Sequence, residues 1–198
     1  LDEKRLVLTH ALGHDGEVTP FAEENQVVRA QPFYSHFLHH ALRRAGMIST
    51  IVENVRTRWS EMLADGESTF RETWQLEPIT SKCHAWSATP TFDLSTDILG
   101  ITPLELGFAR FRVAPQPANL AWARGVFPSP RGDIRVAWKR DTNRFELSLD
   151  VPAESHAEIE LPVRGTVRVD GSVARQDGLV VGAGAHQIVV EEILDATR

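Results

Sequence analysis

The chain has 198 residues, a formal charge of -6 at pH 7 and 42% hydrophobic residues. That composition suits one large globular domain or two small ones and excludes a long disordered chain. The acidic balance argues against a nucleic-acid partner, which would need clustered cations to neutralise phosphates, and the single cysteine, Cys83, excludes an intrachain disulfide.

No apolar run is long enough to cross a bilayer, so no membrane partner is expected. The lone thiol fits a reducing compartment, which favours a cytoplasmic location. The first residues, Leu-Asp-Glu-Lys-Arg-Leu, are charged and contain no apolar core of the signal-peptide kind. The chain begins with Leu1 rather than methionine, and it is read as a fragment or a processed piece.

Residues 4–12 carry Leu6, Val7, Leu8 and Leu12 in a weak helical pattern, and Gly13, Gly16 and Pro20 then mark loops. A strong helix is predicted from Pro32, a residue suited to a first turn. Phe33, Phe37, Ala41 and Ala45 recur every four residues with Leu38 and Leu42 beside them, which predicts an apolar face. Arg43 and Arg44 complement the dipole in the last turn, and Gly46 stops the helix. A second helix carries Ile48, Ile51, Val52, Val55, Trp59 and Leu63 and ends at Asp65-Gly66. The short connection predicts an antiparallel helical hairpin.

Residues 67–90 are too broken by turn formers to be one helix. They gather two carboxylates, Glu72 and Glu77, an imidazole, His84, and two indoles, Trp74 and Trp86. A carboxylate can move a proton and indoles can stack on the C–H faces of a sugar, so this stretch is a candidate sugar site. Glu77 precedes Pro78 and reads as a solvated loop residue. Tryptophan is more often packed than exposed, and Cys83 reads as a small buried hydrophobe.

A further helix is expected to end at Gly100, and strands dominate from Ala109. Phe111 and Val113 alternate with Arg110 and Arg112, and Ile134, Val136 and Trp138 alternate with Arg135, Ala137 and Lys139. Asp141-Thr142-Asn143 turns the chain into a strand with Phe145, Leu147, Leu149 and Val151. Ile159 and Leu161, Val167 and Val169, and finally residues 187–191 continue the pattern after the flexible Gly182-Ala183-Gly184. The prediction is an α+β chain, with a helical segment over 1–107 and an antiparallel β-sandwich over 108–198. Arg124 and Arg131 are expected to line a surface of the sandwich.

His36 and His40 have the helical spacing of some zinc sites, but no His-Glu-x-x-His pattern is present and both fall on the polar face beside His39. His10 and His14 are interrupted by Gly13. No metal and no cofactor is therefore expected.

Several motifs occur in a telling order. These are Ser81-Lys82-Cys83-His84-Ala85-Trp86-Ser87-Ala88, Ile98-Leu99-Gly100-Ile101-Thr102-Pro103, and Asn119-Leu120-Ala121-Trp122-Ala123-Arg124-Gly125. Pro128-Ser129-Pro130-Arg131-Gly132 and Ile134-Arg135-Val136-Ala137-Trp138 follow. Together they resemble the end of the catalytic domain and the start of the C-terminal β-sandwich in the α-L-rhamnosidase glycoside hydrolases. The resemblance implies the last part of an (α/α)6 barrel followed by a sandwich, and inverting hydrolysis of terminal α-L-rhamnosides. It implies Glu72 as the general base, in Thr69-Phe70-Arg71-Glu72, and His84 as a sugar contact, with Trp74 and Trp86 near the sugar. Arg71 stands where the family has a tryptophan; pointing inward with Glu72, it would lower that carboxyl's pKa and weaken the base. The family's general acid comes from an upstream acidic motif, and no match to it is found here. The implied partners are a rhamnose-containing carbohydrate and either the remainder of the barrel or a second copy covering exposed helix faces. The alternative is a non-catalytic carbohydrate-binding or structural module.

Overall fold

A computed structural model describes Ala11, residues 29–75, Pro78 and residues 80–194, with side chains up to Glu192. The weak pattern over residues 4–12, His10, His14 and Glu77 lie outside the residues whose placement is described. Compactness divides the chain into Leu1–Asp93 and Leu94–Arg198. This division falls ahead of the expected boundary near Gly107.

In the first unit, α1 is Ser35–Arg44 and α2 is Ile48–Asn54. A π-helical turn, Val55–Trp59, joins α2 to α3, Ser60–Ala64. Gly46 and Gly66 close the two helical runs with φ of 70° and 75°. Two helical runs joined by a short connection are present, and the buried face of α1 differs from the phenylalanine stripe. Leu38 and Leu42 are buried together with Ser35 and His39, whereas Phe37 is 57% exposed.

A polar network explains that choice of face. His39 is fully buried, hydrogen-bonded through Nδ1 to Asp93 Oδ2 at 2.6 Å and through Nε2 to Asn54 Oδ1 at 2.9 Å. Arg43 Nη2 donates to Asp93 Oδ1 at 2.9 Å, and the Thr89 hydroxyl donates to Asp93 Oδ2 at 3.3 Å. A buried carboxylate costs several kcal/mol unless it is paired and hydrogen-bonded, and here His39, Arg43 and Thr89 partner it. The network ties α1 and α2 to α4, Thr89–Asp93. His39 thus leaves the polar face on which the sequence pattern puts it.

The second unit opens with a π-helical turn, Leu94–Ile98. Two sheets follow. One has the order β1 (Ile101–Pro103), β2 (Arg110–Val113), β6 (His156–Ile159), β9 (Leu179–Val181). The other has the order β3 (Trp122–Ser129), β4 (Gly132–Arg140), β5 (Arg144–Val151), β10 (Gly184–Leu194), β7 (Arg164–Val169), β8 (Ser172–Ala174). Strict alternation in β4 and β5 sends Ile134, Val136, Trp138, Phe145, Leu147 and Leu149 into the core. Phe111, Val113, Ala157 and Ile159 fill it from the smaller sheet.

The α+β class and the β-sandwich are as expected, with one difference: β2 pairs in parallel with β6, while the other pairings are antiparallel. Strand β10 is also longer than residues 187–191, and β1 begins before Gly107. Two glycines make close approaches, and at Gly100 the neighbour is backbone, so no side chain fits there. Gly100 has φ of 80°, and a Cβ there would sit 2.1 Å from the Ala114 carbonyl carbon. A Cβ on Gly125 would meet Leu99 Cδ1 at 2.5 Å. Trp138 Nε1 donates to the Ile98 carbonyl at 2.7 Å, which satisfies a buried donor and fixes the turn before β1.

Two stability measurements follow from this packing. Asp93→Ala removes the partner of His39 Nδ1 and one partner of Arg43 and should lower unfolding free energy by about 3–5 kcal/mol; a loss below about 1 kcal/mol in urea denaturation would mean the network is incidental. Leu147→Ala empties the centre of the sandwich and should cost about 2–5 kcal/mol, seen as a lower urea midpoint for the strand signal.

Candidate active-site loop

The loop after α3 doubles back on itself. Glu72 N donates to the Ser81 carbonyl at 2.9 Å and His84 N to the Phe70 carbonyl at 2.7 Å. The Thr69 hydroxyl donates to the Lys82 carbonyl, and the Thr73 and Thr80 hydroxyls lie 3.2 Å apart. These bonds run along both limbs and bring the Glu72 and His84 segments side by side. The sequence gap between the two residues is thereby closed without a helix.

Three anchors hold the loop to the helices. Trp59 Nε1 donates to the Ser87 carbonyl at 2.9 Å. Trp74 Nε1 donates to the Ala30 carbonyl at 2.7 Å, and its backbone N–H donates to Gln31 Oε1 at 3.1 Å. The two indoles meet edge to face with centroids 4.8 Å apart and pack with Met62. Such a pair contributes about 0.5–1.5 kcal/mol beyond its burial.

The third anchor is Arg71. It is 3% exposed, and its guanidinium binds Asp65 at 2.6 Å and Glu67 at 3.4 Å. Burial works against the charge, but the hydrogen bond to Asp65 and the charge of Glu67 outweigh it and hold the guanidinium above its ordinary pKa. Glu72, the next residue, is exposed. Its Oε2 accepts from the Ser81 N–H at 3.4 Å, and the ion pairs of Arg71 go to Asp65 and Glu67. The two adjacent residues face opposite environments, so the cation does not point inward together with the carboxylate.

His84 is half-buried, and its ring meets Trp86 edge to face at 6.1 Å. Trp86 is 67% exposed and leans on Phe33 at 4.8 Å. Phe33 in turn touches Tyr34 and Phe37 at 5.3 and 5.9 Å. The structure therefore separates the two indoles. Trp74 is 6% exposed and belongs to the core, so it cannot offer a ring face to a ligand; Trp86 offers one. Phe33, which the helical pattern assigns to a buried stripe, packs against Trp86 and joins this surface. Aromatic residues flanking an exposed indole are the signal that could have found it. Cys83 is exposed rather than buried.

His36 lies 3.4 Å from the Thr89 hydroxyl, and His40 is exposed. Among the described residues no group of three or more histidine, cysteine or acidic side chains could hold a metal ion. None of the described helices is long and apolar enough to cross a membrane.

Residues 100–175 match the family of the bacterial alpha-L-rhamnosidase C-terminal domain. The chain is 25% identical over 176 residues to an alpha-L-rhamnosidase of Alteromonas sp. (strain LOR), covering 81% of this chain and 19% of that protein. Its fold is similar to that of the Dictyoglumus thermophilum alpha-L-rhamnosidase, with a TM-score of 0.71 at 18% identity over 81% of this chain and 21% of that one. It is also similar to the Streptomyces avermitilis alpha-L-rhamnosidase complexed with L-rhamnose, with a TM-score of 0.65 at 24% identity, covering 79% of this chain and 17% of that one. The chain thus spans about a fifth of the length of the proteins it matches. In sequence and in fold it is similar to part of these alpha-L-rhamnosidases, and residues 100–175 are similar to their C-terminal domain.

Proposed function

We propose that the chain is the C-terminal part of a glycoside hydrolase that removes terminal α-L-rhamnose with inversion. The observation that carries this is the opposed placement of Arg71 and Glu72. The loop spends its cation on Asp65 and Glu67 and presents the Glu72 carboxylate to solvent beside the segment bearing His84.

Inversion needs two carboxyl groups on opposite sides of the sugar, about 6.5–9.5 Å apart, with a water between the base and the anomeric carbon. Glu72 takes the proton of that water as its oxygen attacks. The second carboxyl group protonates the departing glycosidic oxygen, and it comes from a part of the protein upstream of this chain. His84 hydrogen-bonds the sugar hydroxyls, and the exposed face of Trp86 stacks on its C–H face. Trp74 serves the subsite from beneath, by holding the loop against Trp59.

On this reading the first unit is the last part of an (α/α)6 barrel. Tyr34, Phe37, Leu63 and Phe92, all exposed here, then pack against the preceding helices of the barrel. The isolated chain lacks the acid and does not turn over substrate.

Glu72→Gln in the complete protein should reduce hydrolysis of an aryl α-L-rhamnoside by about 10²–10⁴-fold, the usual contribution of a positioned general base, with the KM little changed. Near-normal turnover would remove Glu72 from the mechanism. The isolated chain should release no aryl alcohol from the same substrate at any concentration. Turnover by this chain alone would place the acid within it.

A further inference from the structure

The outer face of the six-stranded sheet carries a feature that the loop chemistry does not use. Side chains of β3, β4, β5 and β10 form cross-strand rows there. One row runs Arg124, Ala137, Ser148, Gln187, and the next runs Val126, Arg135, Asp150, Ala185. The small Ala137 and Ser148 make a low floor between longer neighbours. The result is a trough of about 420 Å³ lined by Arg124, Val126, Arg135, Ala137, Ser148 and Asp150. That volume lies within the roughly 300–1,000 Å³ of small-ligand sites.

Most polar groups on this face are already satisfied. Arg135 binds Asp133 at 2.6 Å, Lys139 binds Glu146 at 3.1 Å, and the Ser148 hydroxyl donates to Gln187 Oε1 at 2.7 Å. Arg124 and Asp150 differ: among the described residues neither side chain has a hydrogen-bond or ion-pair partner. One is a donor-only fork on β3 and the other an acceptor-only carboxylate on β5, with β4 between them. Two strand spacings of about 5 Å each and a two-residue offset of about 7 Å along the strands separate their backbones. Next to Arg124 on the same face, Trp122 is 63% exposed, and its ring makes no aromatic contact among the described residues.

We propose that this trough is a second carbohydrate site, separate from the Glu72 loop, and that it takes a neutral oligosaccharide. A sugar hydroxyl both gives and accepts hydrogen bonds, so one chain of hydroxyls serves Arg124 and Asp150 together. Trp122 supplies an apolar face for an adjoining ring, since an indole can stack while staying half in water. A carboxylated sugar would be drawn to Arg124 but repelled by Asp150, which selects against uronates. The site lies within Leu94–Arg198 and holds whether or not Glu72 is the base.

Saturation-transfer NMR of this chain with a neutral α-linked rhamnose trisaccharide tests the proposal. Binding is expected in the wild-type chain. It should fall roughly tenfold or more in Arg124→Ala and in Asp150→Ala, the size expected for a hydrogen bond to a charged group, and in Ala137→Phe, which fills the floor. All variants are made in a His84→Ala background, which removes the sugar contact proposed for the loop, so the remaining signal reports the trough. Circular dichroism confirms that each variant is folded. A trigalacturonate probe should bind more weakly than the neutral trisaccharide. No transfer up to roughly 10 mM trisaccharide, unchanged binding in the three trough variants, or tighter binding of trigalacturonate would each overturn the proposal.

Discussion

The helical unit depends on where one buried cation goes. Arg71 has almost no access to water and pairs through Nη1 with Asp65 and Glu67. A guanidinium in that position without acceptors would be strongly destabilising, so the loop folds to bring those carboxylates to it. Glu72 is left outside as a consequence. The same step pulls Trp74 inward against Trp59 and leaves His84 and Trp86 on the outer limb. Stability and the candidate chemistry therefore sit on opposite sides of a single short segment.

The second unit solves a different problem. Its core lies between two sheets, and Gly100 packs tightly against the Ala114 backbone. Its outer face is shaped by side-chain size and charge. Where small residues fall in the middle of a row, the face dips; where long charged residues meet, they neutralise one another. Arg144, for example, binds Glu146 and Glu191, and its hydrogen bond, ahead of Lys139, holds the Glu146 carboxyl below its ordinary pKa. Arg124 and Asp150 stand apart from this pattern of mutual neutralisation.

Local signals made the larger elements legible in the sequence. Gly46 and Gly66 marked the helix ends, and the Asp141-Thr142-Asn143 turn between alternating strands marked the β4–β5 hairpin. The resemblance to rhamnosidases came from motifs in order and agrees with the family match over residues 100–175. What was not legible depends on distant partners. His39 is buried because Asp93, 54 positions away, receives it. The parallel pairing of β2 with β6 joins segments separated by the whole of β3 to β5. Strands as short as β1, β8 and β9 carry too few residues for alternation to show. At the loop, the presence of Glu72, His84 and the indoles was visible, but the division into a buried Trp74 and an exposed Trp86 rests on contacts with Trp59 and Phe33.

The most direct test of Glu72 as the base is chemical rescue of Glu72→Ala in the complete protein, with sodium azide and an aryl α-L-rhamnoside. Removing the carboxylate opens the face on which water is activated, so azide should attack the anomeric carbon there as the aryl oxygen departs. The account predicts restored turnover and a β-L-rhamnosyl azide product by NMR. Full activity without azide, or an α-configured azide, would contradict it.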